Sequence, residues 1–332
     1  MPRIAVVILN WNGKTLLERF LPTLLATTDK NIADIVVADN SSTDGSQEYL
    51  RNHPQIRLIE LDENYGFAGG YNRALSQITH EYAVLLNSDV ETTPGWLEPM
   101  RDYLLQHAEV AACQPKILSW NNKTRFDYAG AAGGYIDKYG YPFCRGRIFS
   151  KVEKDHNQYD TPTNVFWTSG ACLFIRMNDF YATGGFDECF FAHMEEIDLC
   201  WRLKLRGKRI VCLPQSIVYH VGASTLKVEN PQKTYLNFRN NRLMLYKNMP
   251  KHLRKKTLFI RNILDFLAAI QFLATGKPAN ARAVLKANKD FNALKINYNE
   301  LQYDKNKLIS EIYPRCILID YYLKGKKCFS NL

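Results

Sequence analysis

The sequence predicts an α/β protein built on a mostly parallel sheet with helices on both faces. Two observations carry that prediction. Through the first hundred residues, short Val/Ile/Leu runs alternate with segments of helical periodicity. Those runs are apolar throughout instead of alternating with polar residues, as parallel strands buried on both faces require.

The elements follow in order. Residues 4–9 read as the first strand and Lys14–Thr27 as a helix with apolar Leu16, Leu17, Phe20 and Leu24. "ADIVVA" (33–38) is the second strand, and "NSSTDGSQEYLRN" opens a helix with capping residues. "IRLIEL" (56–61) is the third strand, "GFAGGYNRALSQI" a glycine turn into a helix, and Tyr82–Leu86 the fourth strand. In such sheets ligands bind at the carboxyl ends of the strands. Here those ends are Asn10-Trp11-Asn12, Asp39-Asn40-Ser41, Asn64-Tyr65-Gly66 and Asn87-Ser88-Asp89, so four polar turns converge on one edge.

From about 130 to 165 the chain becomes rich in Gly, Tyr and charge with little periodicity, which predicts a loop over a site. Order returns with "VFWTSGACLFIR" and "EEIDLCWRLKLRG", a helix that Gly207 stops. Residues 1–230 therefore read as one α/β unit with halves 1–115 and 116–230, and 231–332 as a helical, basic extension. The net charge of +10 points to anionic partners: nucleic acid, phosphorylated ligands or a membrane surface. Eight scattered cysteines without a CxxC pair fit a reducing compartment. The apolar stretch 258–275 carries Arg261, Asn262 and Asp265, whose cost at a bilayer centre argues against a span. With the basic "KHLRKK" before it, the segment predicts peripheral contact with an anionic membrane from the cytoplasmic side.

Several residues suggest chemistry, each with a plainer reading beside it. Asp39 suits a turn as well as a ribose hydroxyl or a base N–H, and Trp11 suits a core as well as a stacking face. The glycines of "YGFAGGYN" do not form the GxGxxG fingerprint, which excludes a dehydrogenase. Asp89, apparently exposed after the fourth strand, could hold a divalent cation against a diphosphate. In "EEID", Asp198 fits compensation of a helix dipole, whereas Glu195–Glu196 follow aromatic "FFAHM", a setting that raises carboxylate pKa values. His220 is a structural histidine or a metal ligand.

In their order and spacing, "VVILNWNG", "VVADNSSTDGS", "NYGFAGGYNRAL", "LLNSDV", "GGFDECFFAHMEEIDLCWRLKLRG" and "VYHVGAST" resemble the inverting family 2 glycosyltransferases. The resemblance is strongest to the bacterial branch that transfers rhamnose or related sugars to lipid-linked glycans. It implies a GT-A fold, a nucleotide-diphosphate sugar donor, a glycan or lipid-linked acceptor, and a divalent metal, Mn or Mg; no nucleic-acid partner is expected. Residue by residue it implies that Asn10, Trp11, Asn12 and Asp39 bind the nucleoside, with Asn64 and Gly69 nearby. "NSDV" stands where the family has DxD, so Asp89 is the implied metal ligand, Asn87 replaces the first Asp, and His220 is a further ligand. Glu196 takes the place of the catalytic base beside Glu195. "VFWTSGACLF" implies an acceptor side with Trp167 as a stacking face and Gly170 beside it. The competing readings are a sugar-phosphate nucleotidylyltransferase, for which "LNWNGKTLL" offers only Lys14, and a non-catalytic glycan- or membrane-binding protein.

Overall fold

The computed structural model describes residues 4–222, 230–298 and 309–332; residues 223–225 of "VYHVGAST" lie outside these. The first half unfolds as the sequence predicts: β1 (Ile4–Asn10), α1 (Lys14–Thr27), β2 (Ala33–Asp39), α2 (Ser46–Arg51), β3 (Arg57–Glu60), α3 (Gly66–Leu75) and β4 (Tyr82–Leu86). Then come β5 (Val90–Thr92), α4 (Glu98–Gln106) and the long β6 (Val110–Ser119). After an intervening small sheet the chain returns with β11 (Thr163–Asn164), β12 (Cys172–Arg176), α5 (Met177–Ala182), α6 (Glu195–Leu205) and β13 (Arg209–His220).

The central sheet has the order β11-β13-β6-β12-β4-β1-β2-β3, with β5 on β13. Its β4-β1-β2-β3 half is parallel, and β12 enters antiparallel between β4 and β6. Alternate side chains of β1 explain its unbroken hydrophobicity. Ala5 and Val7 pack toward α3 and Tyr71, while Ile4, Val6 and Ile8 pack toward Leu17 and Leu21 of α1. Because β1 pairs with β2 on one side and β4 on the other, the strand order reverses at β1, and the crevice at its carboxyl end is where such sheets bind ligands.

The stretch expected to be a loop over a site is instead a second sheet. It comprises β7 (Gly134–Asp137), β8 (Pro142–Cys144), β9 (Arg147–Ile148) and β10 (Lys151–Val152), closed by β14 (Ile312–Tyr313) near the C-terminus. Strands of two to four residues are too short to show periodicity, and their partner lies far along the chain. Phe143, Ile148, Ile317 and Tyr321 give this sheet its own core.

The helical extension is present as α7 (Pro231–Asn248), α8 (Lys251–Ala274) and α9 (Pro278–Leu294). Its final segment also supplies β14, so it is not wholly helical. By length and composition α8 is long and apolar enough to cross a membrane, the one such helix among the described residues. Arg261 and Asp265, which argued against a span, face inward. Asp265 pairs with Arg242 of α7 at 3.0 Å and with Arg261 at 3.1 Å, and Arg261 donates to the Tyr139 carbonyl at 3.1 Å.

The small sheet meets the main one where Gly134 lies flat against Trp167; a Cβ there would fall 2.1 Å from the indole ring. Gly134→Ala should therefore cost about 1–3 kcal/mol by overpacking. The urea midpoint should fall with its slope unchanged; an unaltered midpoint would show that the contact is not tight.

Candidate active site

The β1 and β2 ends are tied by register, which sets Asn10 opposite Asp39. Asn10 Nδ2 donates to Asp39 Oδ2 at 2.9 Å and to Ser42 Oγ at 3.1 Å. Asp39 Oδ1 accepts from the Ser42 amide at 2.8 Å and from Gln47 Nε2 at 2.9 Å. Asp39 is wholly buried, and these bonds let it shape the turn. The surface it builds is more open. Trp11 is 48% exposed, and Asn12 and Ser41 adopt left-handed backbone (φ 51° and 62°). Asn10 Oδ1 is buried without a hydrogen-bond partner, an acceptor left over at this corner.

Asn40 carries the corner to α3. Its Nδ2 donates to Asn64 Oδ1 at 2.9 Å and to the Gly66 carbonyl at 3.1 Å, and Asn64 Oδ1 also caps the Gly66 amide at 2.9 Å. Asn64 thus builds the turn. Gly69 is a buried packing position within α3, where a Cβ would approach Tyr65 Cβ at 2.9 Å.

At the end of β4 the structure corrects the reading of Asp89 as exposed: it is 3% exposed. Asp89 Oδ1 lies 3.1 Å from His220 Nε2, and His220 Nδ1 lies 3.1 Å from Asp127 Oδ2. Asn87 Nδ2 stands 3.4 Å from the same Nε2. Burial alone would depress the His220 pKa, but hydrogen bonds donated to Asp127 and Asp89 carry it up to about 10. The imidazole is therefore a doubly held bridge between two carboxylates. Among the described residues no three His, Cys, Asp or Glu side chains are arranged to hold one ion.

Glu195 and Glu196 open α6 after a turn in which three non-glycine residues have positive φ: Phe191 (63°), His193 (71°) and Met194 (73°). Such conformations cost on the order of 1–3 kcal/mol each unless their surroundings fix them. The fixing comes from α7. Asn240 Nδ2 donates to the Phe190, Ala192 and His193 carbonyls at 2.9, 2.9 and 2.8 Å, and Arg239 donates to the Cys189 carbonyl at 2.7 Å. On the other side the Phe191 carbonyl accepts from the Phe67 and Ala68 amides of α3, and a Cβ on Gly66 would strike the Phe191 ring at 2.5 Å. The glutamates are thereby drawn to the edge that carries Asn64 and Asn40. Glu195 is buried and Glu196 partly so, and each has one carboxylate oxygen buried without a partner. Burial, with the charge of Glu196 beside it, pushes Glu195 far above the usual carboxylate range; burial pushes Glu196 up to about 7.

Two further expectations change. Trp167 is buried, faces Gly134 and donates its indole N–H to the Tyr135 carbonyl at 3.0 Å, so it is a packing residue with no open stacking face. Gly170 packs on the Phe67 ring, beside Ala171, whose carbonyl accepts from the Asn87 amide at 3.0 Å. Asp198 does not answer the helix dipole alone. It is fully buried, bonded to Arg202 at 2.8 Å, Lys247 at 2.9 Å and Asn248 at 2.7 Å. Burial would raise its pKa, yet Lys247 and Arg202 hold it below the usual range. Asp127, Asn240 and Lys247 were not singled out from sequence, since each acts on a partner dozens of residues away.

A mostly parallel sheet that reverses its strand order at β1, admits β12 antiparallel and carries polar turns at its strand ends has the GT-A architecture. The family model "Glycosyl transferase family 2" matches residues 5–181, and the chain belongs to that family. Among its relatives is the N-acetylglucosaminyl-diphospho-decaprenol L-rhamnosyltransferase of Mycobacterium tuberculosis, 28% identical over 65% of this chain and 75% of that protein. The rhamnosyltransferase WbbL of Escherichia coli K12 is 24% identical over 65% of this chain and 83% of its own length. In fold, the chain resembles GalNAc-T7 solved with UDP, GalNAc and Mn2+, at TM-score 0.61 and 14% identity, covering 90% of this chain and 56% of that one. These matches set aside the nucleotidylyltransferase and the non-catalytic readings.

Two outcomes test this geometry. Because the folded protein holds the Glu196 proton up to about pH 7 while the unfolded chain releases it near the ordinary glutamate value of 4.5, the folded state binds more protons between these values. Stability should then fall as pH rises through this window, and Glu196→Gln should flatten that fall. An unchanged slope would contradict the burial. Asn240→Ala removes three hydrogen bonds worth roughly 2–4 kcal/mol together. Amide exchange should quicken selectively at 190–196; a uniform change would show that Asn240 holds nothing in particular there.

Proposed function

We propose that this glycosyltransferase transfers a sugar from a nucleotide diphosphate to a lipid-linked glycan acceptor, with inversion, in bacterial cell-surface polysaccharide synthesis. The observation that carries the reading is the Glu196 carboxylate. It is partly buried, keeps one oxygen without a partner, and is pushed up to about 7 by burial. Those are the properties of a general base poised near neutral pH. The acceptor hydroxyl oxygen forms a bond to the anomeric carbon as the bond from that carbon to the phosphate oxygen breaks. The hydroxyl proton passes to Glu196, and the electron pair leaves with the nucleoside diphosphate. Glu195, more deeply buried and pushed higher, stays protonated and so spares Glu196 a second adjacent charge.

Trp11, Asn12 and the turn at Ser41–Ser42 take the nucleoside, with Asn10 and Asp39 as the buried posts beneath. A divalent cation, Mn or Mg, fits the Asp89–His220 pair. Asp127 accepts the His220 Nδ1 proton, which is how a ligating imidazole is usually oriented, and a cation would take the place of the proton that Nε2 shares with Asp89. Bound there, the cation would supply positive charge against the leaving diphosphate, with the donor completing a coordination shell to which the protein gives two groups. The Mn2+ in the GalNAc-T7 structure and the decaprenol-linked acceptor in the mycobacterial relative's name support these assignments.

Glu196→Gln keeps shape but cannot accept a proton, so turnover should drop about 10²–10⁴-fold with donor affinity nearly kept. If Glu195→Gln gives that pattern instead, the base is its neighbour. In wild type, kcat/KM should rise with pH through about 7 as Glu196 loses its proton; a flat profile from pH 6 to 8 would exclude it. Since Asp89 is buried against His220, Asp89→Asn is the cleaner probe than Ala. It should abolish the Mn2+-dependent part of thermal stabilisation by dTDP-, UDP- or GDP-sugars, and stabilisation that survives in full would remove Asp89 from the metal site.

A further inference from the structure

We infer that the outward face of α8 is a docking surface for an anionic lipid bilayer. The helix is amphipathic in reverse. Its buried residues, Thr257, Arg261, Asp265 and Ala269, recur every four positions, and the charged pair among them is joined inside, where Asp265 pairs with both Arg261 and Arg242. The opposite face holds Phe259, Ile263, Phe266, Leu267, Ile270 and Leu273, spaced three, four or one apart and between 46% and 65% exposed. An ordinary surface helix turns its apolar stripe inward and its charges to water; here the charges are satisfied inside and large apolar side chains stand in solvent.

Charge identifies the occupant. Lys255 and Lys256 are exposed at the N-terminal end of α8. Lys255 stands four residues before Phe259 and Lys256 seven before Ile263, which puts both on the same outward face as the apolar stripe. Exposed Lys251 and His252 lie one turn earlier, and the whole chain carries a net charge of +10. A bilayer with anionic headgroups presents an apolar layer and an anionic layer at the depths of the stripe and of the cations that head it. The helix lies in the headgroup plane, because its inward face is committed to α7 and to the Tyr139 carbonyl.

The same turn of α7 that holds α8 through Arg242 holds the catalytic-side turn through Asn240. Docking would thus bring the site to the surface where a lipid-linked acceptor resides. That purpose rests on the proposed transfer, but the docking itself is measured without donor or acceptor, so either can fail alone.

The experiment is co-sedimentation of the full chain with vesicles of phosphatidylcholine, with and without 30% phosphatidylglycerol, at low and high salt. Wild type should partition at least tenfold more into the anionic vesicles at low salt, lose that preference at high salt, and be released by alkaline carbonate. Phe266→Glu with Ile270→Glu, and separately Lys255→Glu with Lys256→Glu, should each cut partitioning at least tenfold while circular dichroism stays unchanged. No binding at low salt, equal binding to neutral vesicles, or indifference to both variants would overturn the inference. So would resistance to carbonate, which would mean a spanning helix. So would a dimer in solution that Phe266→Glu dissociates, which would mean that a second copy covers the face.

Discussion

Three non-glycine residues with positive φ in the turn before α6 cannot persist on their own, and the site depends on what holds them. Asn240 spends its two amide protons on three carbonyls of that turn, and α3 closes it from the other side through the Phe191 carbonyl. Below it, Asp198 ties α6 to α7 through Lys247 and Asn248. A pair of adjacent carboxylates at a buried helix start would otherwise move toward water. Held here, their burial becomes the raised pKa that the proposed role of Glu196 requires near neutrality. The α7 helix, remote in sequence from the sheet, is therefore part of the construction of the proposed site.

The sheet supplies the second constraint. Register fixes Asn10 beside Asp39, and β5–β13 pairing sets Val90 against His220, which brings the end of β4 to the end of β13. Turns that bind at a switch point must combine open backbone with rigid supports. The division follows burial: Asp39, Asn40 and Asp127 are buried supports, while Trp11, Asn12 and the partly exposed Asn64 and Glu196 are open to solvent.

Much of this was legible in the sequence because it is local. Continuous apolar runs flanked by polar turns gave β1 through β4 nearly to the residue, and the adjacency of Glu195–Glu196 to an aromatic run foretold their burial. What escaped is non-local. The small sheet hid because strands of two to four residues carry no period and one of them comes from position 312. Asp89 looked exposed because the residue that buries it, His220, is 131 positions away, as the two numbers show (220 − 89). Trp167 looked like a stacking face because nothing in "VFWTSG" says that Gly134 will lie against its ring. In the sequence Arg261 and Asp265 read only as residues that argue against a span, because the arginine that draws them inward lies on another helix.

The central claim is that one glutamate, not a covalent intermediate, carries the transfer. The anomeric configuration of the product tests it most directly, read by nuclear magnetic resonance from one-bond carbon–proton coupling after reaction with a donor of known configuration. Single displacement with Glu196 as base predicts a product linkage opposite to that of the donor in every turnover. A product of retained configuration would contradict the account, since it requires either a second displacement or a front-side path in which Glu196 is not the base.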